Sequence, residues 1–206
     1  PIPKEDDLNY FYKHVYRSLN RPPYWMTENY DDLKKHYLED KNLNYLLYLT
    51  TLIDLSKINS LYDFGSGYGD LGFLLKKKFP NLKLFCTESD DHCKMILKER
   101  SYINFENLKD INSKFDLIIT LHSLEHLTDI SIFSKFNDML NSNGLIFFEV
   151  PNCPKEYFQG RPYDSPHLLF YTKKSIHKIA KMNNVIIINF SYSSYSFDDD
   201  HKYQRE

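Results

Sequence analysis

Between residues 58 and 190 short apolar runs alternate with amphipathic segments, which is the pattern of a parallel sheet flanked by helices. The runs are "SLYDF" (60–64), "LKLFCTE" (82–88), "FDLIITL" (115–121), "GLIFFEV" (144–150) and "VIIINF" (185–190). Most are apolar nearly throughout, as strands covered on both faces are. A further strand near "SYINF" (101–105) is weakly marked. Between the runs, Leu71, Leu74 and Leu75 precede "KKK" and a stop at Pro80. Ile130, Phe133, Phe136 and Leu140 precede Gly144, and Ile176, Ile179 and Ala180 follow a Thr172 cap. These spacings predict helices. The fold class is α/β, an open, mostly parallel sheet with helices on both faces.

Residues 1–56 read differently. They are dense in Tyr and in charged residues, and "NRPPYW" (20–25) separates one helical stretch from "YDDLKKHYLEDKNLNYLLYLTTLIDL" (30–55). They predict an N-terminal helical cap that either completes the core or closes as a lid over a site, ahead of a sheet domain at 57–206. No internal repeat or low-complexity linker divides the two, which predicts one compact unit.

Composition narrows the partners. At 206 residues and 42% hydrophobic content the chain is long enough for one domain with a sizeable core. The net charge is −2 and Lys and Arg are scattered among the acids, so there is no basic stripe for a nucleic-acid backbone. Small polar partners fit better. Cys86, Cys93 and Cys153 form no C-x-x-C pair and read as reduced thiols of a cytoplasmic protein. No stretch approaches the roughly 20 apolar residues of a membrane span, and the N-terminus lacks the basic and then apolar segments of a signal peptide. The chain begins at Pro1 and ends in "DDDHKYQRE", so both ends read as open to trimming.

"YDFGSGYGD" (62–70) follows the first strand and opens the first helix of the sheet, where a tight glycine turn lets the backbone approach a ligand. The spacing is G-x-G-x-G at Gly65, Gly67 and Gly69, with Asp70 where the third glycine of the dinucleotide G-x-G-x-x-G would stand. NAD fits poorly. Asp63 puts a carboxylate at the strand's end, which repels a pyrophosphate but welcomes the ammonium and sulfonium charges of S-adenosylmethionine. Glu88 ends the second strand about 20 residues further on, where a carboxylate accepts hydrogen bonds from both ribose hydroxyls.

With these residues the chain resembles the class I S-adenosylmethionine-dependent methyltransferases over about residues 58–190. The resemblance rests on "DFGSGYG", on "TE" at 87–88, on "FDLIITLHSLEHL", on "NSNGLIFFEVPN" and on "HLLFYTKKSIHKIAKMNN" (167–184). The "LEHL", "EVPN" and "HLLFYT" stretches look like the branch that methylates small molecules, quinone precursors and sugars among them. The resemblance implies a Rossmann-like methyltransferase sheet. It also implies that Asp63, Gly65, Ser66 and Gly67 hold the methionyl end, Glu88 the ribose, and Asn107 and Leu108 the adenine. The main chain at Leu121 and His122 would line the site near the sulfonium. The chain departs from the family in two places. No seventh strand is evident, which reads as a shortened C-terminus, and Asn183 and Asn184 stand where glycine usually follows the last helix.

"LHSLEHL" (121–127) holds His122, Glu125 and His126 in the H-x-x-E-H pattern that one group of zinc peptidases carries on a helix. In those enzymes the two histidines stand one turn apart on an established helix so that both face one metal. Here the pattern begins where a buried strand ends, which argues against a peptidase. The carboxyl ends of strands in open α/β sheets are where ligands bind, so the segment lines an acceptor pocket. His126 or His122 would take the proton from an attacking hydroxyl, because an imidazole with a pKa near neutrality suits that role. His167 in "SPHLLFYT" is a third candidate. For each, the plainer alternative is a histidine that hydrogen-bonds a loop. The region also resembles quinone-pathway and RNA-terminus 2′-O-methyltransferases, which bind a divalent metal through E-x-x-E-H and a later histidine. His122, Glu125, His126 and His167 stand in comparable places. The first acid has become His122, so a metal stays open, and zinc or manganese would suit it better than magnesium.

Trp25, with Tyr24 and Tyr30, is a candidate to cover the acceptor, with core packing as the alternative. The loop "NCPKEYFQGRPYDSP" (152–166) is long enough to be functional. It offers Asn152, Arg161 and Tyr163 as acceptor contacts, Arg161 being suited to a phosphate or carboxylate. The expectation is methyl transfer to an oxygen of a small polar acceptor, sugar- or phosphate-bearing, in the tailoring of surface glycan (capsule or lipopolysaccharide) or metabolites. The alternatives are a metal-assisted RNA-terminus 2′-O-methyltransferase and a non-catalytic module that binds S-adenosylmethionine.

Overall fold

The computed structural model describes residues 3–14, 30–153 and 167–192. Five parallel strands form one sheet: β1 (Ser60–Phe64), β2 (Lys83–Thr87), β3 (Tyr102–Asn104), β4 (Phe115–Leu121) and β5 (Leu140–Glu149), in the order β3-β2-β1-β4-β5. Among the described residues six α-helices accompany them: α1 (Glu5–His14), α2 (Tyr30–Leu52), α3 (Asp70–Lys78), α4 (Asp91–Glu99), α5 (Ile132–Asp138) and α6 (Lys173–Met182).

Both faces of the sheet are buried, as the continuous apolar runs require. On one face Leu61, Leu84, Leu117 and Ile119 pack with Tyr45 and Leu49 of α2, Leu71 and Leu75 of α3, and Leu97 of α4. On the other face Tyr62, Phe64, Phe115 and Ile118 pack with Phe133 and Phe136 of α5 and Ile179 of α6. Phe115 and Ile118 reach the same cluster although they are an odd number of residues apart. A register irregularity between Phe115 and Leu117, where β4 meets β5, allows this. The C-terminal half of α2 thus shares the sheet's own core. α6 opens as its sequence predicts. Thr172 Oγ1 accepts from Ser175 N at 3.2 Å and Ser175 Oγ accepts from Thr172 N at 2.9 Å, a reciprocal cap.

The predicted strands form with shifted ends, β5 starting at Leu140 rather than 144 and "SYINF" shortening to three residues. "VIIINF" (185–190) is the exception, because it pairs with no strand among the described residues. Ile186 and Ile188 are 86% and 69% exposed. The segment is held through side chains, Tyr48 Oη of α2 donating to Asn189 Oδ1 at 3.0 Å and the Phe190 ring lying against His177. Apolar composition favours a strand but does not provide a ladder partner.

Cys86, Cys93 and Cys153 are buried and free, and burial pushes the Cys86 thiol up to about 12, which leaves it inert. No helix among the described residues is long and apolar enough to cross a membrane. The neighbours of β1 are β2 and β4. The strand order therefore reverses there, and a crevice opens beyond the carboxyl ends of β1 and β4.

Candidate active site

On one side of the crevice the turn after β1 carries Gly65, Gly67 and Gly69 at φ 64°, 56° and 67°, the left-handed region that side chains with a Cβ avoid. Gly65 has a second reason to be glycine, since a Cβ there would run into the Ser123 side chain. Ser123 Oγ instead donates to the Gly65 carbonyl at 3.0 Å. Gly65→Ala is expected to destabilise the fold by about 1–2 kcal/mol from its backbone conformation alone, with the clash added, and chemical denaturation reads the loss.

Asp63 is 5% exposed. Burial first, then the charges of Glu88 and Asp70, hold its carboxyl well above the usual carboxylate range. The Glu88 carboxylate is fixed by the backbone. Oε2 accepts from Gly67 N at 2.6 Å, and Oε1 accepts from Ser89 N at 2.8 Å and Asp90 N at 2.9 Å. The buried Ser66 Oγ has no hydrogen-bond partner among the described residues. Asn107 is exposed and opens the short 3₁₀ turn Leu108–Asp110, with Leu108 half-buried. Leu121 is half-buried at the end of β4.

On the other side the chain leaves β4 at His122, a non-glycine residue in the left-handed region at φ 53°, pinned by its N–H donating to the Glu149 carbonyl at 3.0 Å. The ring Nε2 lies 2.7 Å from Glu149 Oε1 and 2.7 Å from Lys41 Nζ. Its Nδ1 is 3.5 Å from Glu125 Oε1, which is electrostatic contact rather than a good hydrogen bond. Tyr45 Oη donates to Glu149 Oε1 at 2.7 Å. Burial opposes the Glu149 charge, but the His122 hydrogen bond and the Lys41 charge outweigh it and bring its pKa down to about 2. Burial likewise works against a charged His122, and the two carboxylates beside it win, raising its pKa. For Lys41 burial dominates and lowers the pKa.

Glu125 and His126 occupy the 3₁₀ turn Leu124–His126. Glu125 is 1% exposed, and neither carboxylate oxygen has a hydrogen-bond partner among the described residues. The imidazole of His122 nonetheless outweighs the effect of burial and lowers its pKa. The Glu125 carbonyl accepts from Leu168 N at 2.7 Å and Leu169 N at 2.9 Å, which draws His167 into the site. The His126 and His167 rings stand 5.0 Å apart, centroid to centroid, and Tyr12 Oη is 3.0 Å from His126 Nδ1. Burial lowers the His167 pKa. Ligand atoms of Glu125, His126 and His167 all lie within 4.8 Å of one another.

Glu125 lies beside both groups of histidines, 3.5 Å from His122 Nδ1 and within a 4.8 Å cluster with His126 and His167. The H-x-x-E-H letters do not lie on one α-helix. His122 turns to Glu149 and Lys41 while His126 turns to Tyr12 and His167, which removes the peptidase arrangement. Asn152 is exposed and forms an isolated bridge with Tyr171. Trp25, Arg161 and Tyr163 lie outside the described residues. Sequence reasoning missed Tyr12, Lys41, Tyr45 and Glu149. Only Glu149 carried a signal, as an acid ending a strand at the ligand-binding edge of the sheet.

The parallel order 3-2-1-4-5, the glycine turn after β1 and the acids ending β1 and following β2 define the class I S-adenosylmethionine-dependent methyltransferase fold. The chain belongs to the methyltransferase-domain family, whose model matches residues 34–187 and whose members use S-adenosylmethionine as methyl donor. Its fold is similar to magnesium protoporphyrin IX methyltransferase from Synechocystis PCC 6803, solved with bound S-adenosylhomocysteine: TM-score 0.64, 12% identity, 97% of this chain and 95% of that one covered. It is also similar to Streptomyces venezuelae DesVI (TM-score 0.52, 16% identity, 66% and 63% covered). A third similar structure is an O-methyltransferase from a trans-AT polyketide synthase multienzyme of Brevibacillus brevis (TM-score 0.50, 14% identity, 62% and 49% covered). At these identities the likeness is one of fold. The chain spans only 40% and 35% of two further methyltransferase structures that it matches. No curated protein matches the sequence.

S-adenosylmethionine fits the residues present. Asp63 is a buried acid beside the turn, Ser66 Oγ is a buried polar atom with no hydrogen-bond partner among the described residues, and the turn's three glycines hold the left-handed backbone conformation.

Proposed function

We propose that the protein methylates an oxygen of a small polar acceptor held beyond the carboxyl ends of β4 and β5. The observation that carries this reading is the convergence of three imidazoles and two carboxylates, Glu125 and Glu149, next to the glycine turn. When bound, S-adenosylmethionine supplies a methyl group on a positively charged sulfur, open to in-line attack. Asp63 would meet the ammonium of its methionyl end, and Ser66 and the amides of the turn would hold the same end. Glu88 keeps acceptor capacity for one ribose hydroxyl, because a carboxylate offers about four lone-pair sites and backbone N–H groups occupy three. Asn107 and Leu108 would border the adenine, and the main chain at Leu121 and His122 would face the reacting end.

Positioning of this kind contributes about 7–11 kcal/mol to a two-reactant step. The remaining task is the hydroxyl proton, which His126 takes at Nε2 as the oxygen attacks, with His167 and His122 beside it. Asn152, Arg161, Tyr163 and Trp25 complete the acceptor's surroundings in this reading, Arg161 favouring a phosphate- or carboxylate-bearing acceptor in surface-glycan or metabolite tailoring. The named activities of the similar structures, which include an O-methyltransferase and a porphyrin methyltransferase, support a small-molecule acceptor.

A second reading has one observation in its favour, the buried Glu125 carboxylate without a hydrogen-bond partner beside His126 and His167. A divalent cation that accepts imidazole, such as zinc or manganese, would be held by these three residues and would acidify a bound hydroxyl.

A thermal-shift titration with S-adenosylhomocysteine tests the cofactor. At about 100 times its dissociation constant a ligand adds roughly 2.7 kcal/mol, a rise of about 5–10 °C for a chain of this size. NADH is expected to give none. A panel of sugars, sugar phosphates and phenols, run with and without EDTA, then tests the acceptor and the metal. An RNA 3′ end as the one methylated acceptor would replace this reading with the RNA-terminus alternative, and no S-adenosylhomocysteine shift would sink both.

A further inference from the structure

The two histidines of the motif are each met by a side chain from a different N-terminal helix. Tyr12 of α1 places Oη 3.0 Å from His126 Nδ1, its ring edge-on to the imidazole at 5.5 Å. Lys41 of α2 places Nζ 2.7 Å from His122 Nε2. These partners are 114 and 81 residues apart in the chain. Both reach ring nitrogens, the atoms that carry or receive a proton, and helices that merely closed the core would need neither contact. We infer that Tyr12 and Lys41 are positioning residues of the acceptor site, each orienting one histidine, so that the N-terminal helices complete the site as well as cover it. The inference rests on the methyltransferase reading for what the histidines do, though not for the contacts themselves.

The chemistry differs at the two rings. For His126 to take a proton at Nε2 its own proton must sit on Nδ1. In that tautomer Nδ1–H donates to Tyr12 Oη, and the lone pair of Nε2 is held in a fixed direction. At His122 the contested atom is Nε2, which carries at most one proton while Lys41 Nζ and Glu149 Oε1 both stand 2.7 Å away. With the proton present the ring donates to Glu149, and without it Lys41 donates to the ring. Either way the ring is pinned between an amine and a carboxylate, and that carboxylate is itself anchored by Tyr45. The Lys41 side chain is 12% exposed. Keeping a lysine that dry is costly, which makes casual placement on a surface helix a poor explanation.

The test is long-range proton–nitrogen NMR on protein labelled at its histidine rings, which reads the protonation and tautomer of each imidazole. Tyr12→Phe removes one oxygen and is expected to move the His126 resonances while leaving those of His122. Lys41→Met is expected to do the reverse, and Lys41→Arg to restore much of the wild-type His122 pattern. Calorimetric titration of S-adenosylhomocysteine on the same samples is expected to change by no more than about twofold, and on an acceptor turned over by wild type kcat is expected to fall about tenfold or more at unchanged KM for S-adenosylmethionine. The inference is overturned if neither variant moves its own histidine, or if both move them with kcat intact. Should Lys41→Met fail to fold, Lys41→Arg and Tyr12→Phe still decide it. Failure of wild type to bind S-adenosylhomocysteine would sink the methyltransferase reading and leave the ring contacts to stand or fall on the NMR.

Discussion

Asp63→Asn is expected to weaken the binding of S-adenosylhomocysteine sharply and, in the same protein, to raise the stability of the unliganded fold. The two effects have one cause. Asp63 is buried at the end of β1, and burial, Glu88 and Asp70 together push its carboxyl well above the ordinary range. The folded chain therefore binds that proton more tightly than the unfolded chain does. By linkage, its contribution to stability is fully present below the unfolded carboxylate pKa and is lost as pH rises through the folded one. Asparagine stays neutral throughout, so its advantage is nil in acid and grows with pH, to about 1–3 kcal/mol where the carboxyl would ionise. Cofactor binding has the opposite sign, because an ammonium needs the carboxylate. Affinity should climb through the same pH range in wild type and be weaker by about 2–5 kcal/mol in the variant. Melting curves at several pH values, with and without S-adenosylhomocysteine, check both. A variant that melts lower and still responds to the ligand would remove Asp63 from the site.

His126→Ala is expected to leave S-adenosylhomocysteine binding unchanged and to lower kcat about a hundredfold to ten-thousandfold, the usual worth of a positioned proton acceptor. The ring contacts Tyr12 and His167, side chains that belong neither to the glycine turn nor to the acid after β2. Single-turnover methylation on an acceptor from the panel measures it, and calorimetry supplies the binding control. Full activity would end the proton-acceptor role. A wild-type enzyme silenced by EDTA would pass the role to a cation held by Glu125, His126 and His167.

What could be read from the letters follows the range of the physics behind them. The glycine turn, Asp63 and Glu88 were legible because strand, turn and acid are constrained within about two dozen residues of one another, and a left-handed backbone admits few residue types. β1, β2 and β4 were legible because a strand buried on both faces must be apolar throughout. The same rule misled at 185–190, where "VIIINF" has the composition of a buried strand while Ile186 and Ile188 face solvent. Pairing depends on which edge is available, and that is a property of the whole sheet. Tyr12 and Lys41 were illegible for a related reason. One tyrosine among 17 in the chain and one lysine in a charged helix become site residues only when the chain brings α1 and α2 over the ends of β4 and β5.

The Ser123 hydroxyl that reaches the Gly65 carbonyl ties the two halves of the crevice together directly. The donor is one residue from His122 and the acceptor belongs to the turn proposed to hold the methionyl end. A molecule that shifts the turn therefore tugs on the histidine segment, and a molecule seated among the histidines tugs back. Coupling of this sort is reciprocal, each ligand altering the affinity of the other by the same factor, typically about 1–3 kcal/mol. A single serine–glycine bond is thus a direct route along which such coupling between donor and acceptor would run, without a second subunit or a distant effector site.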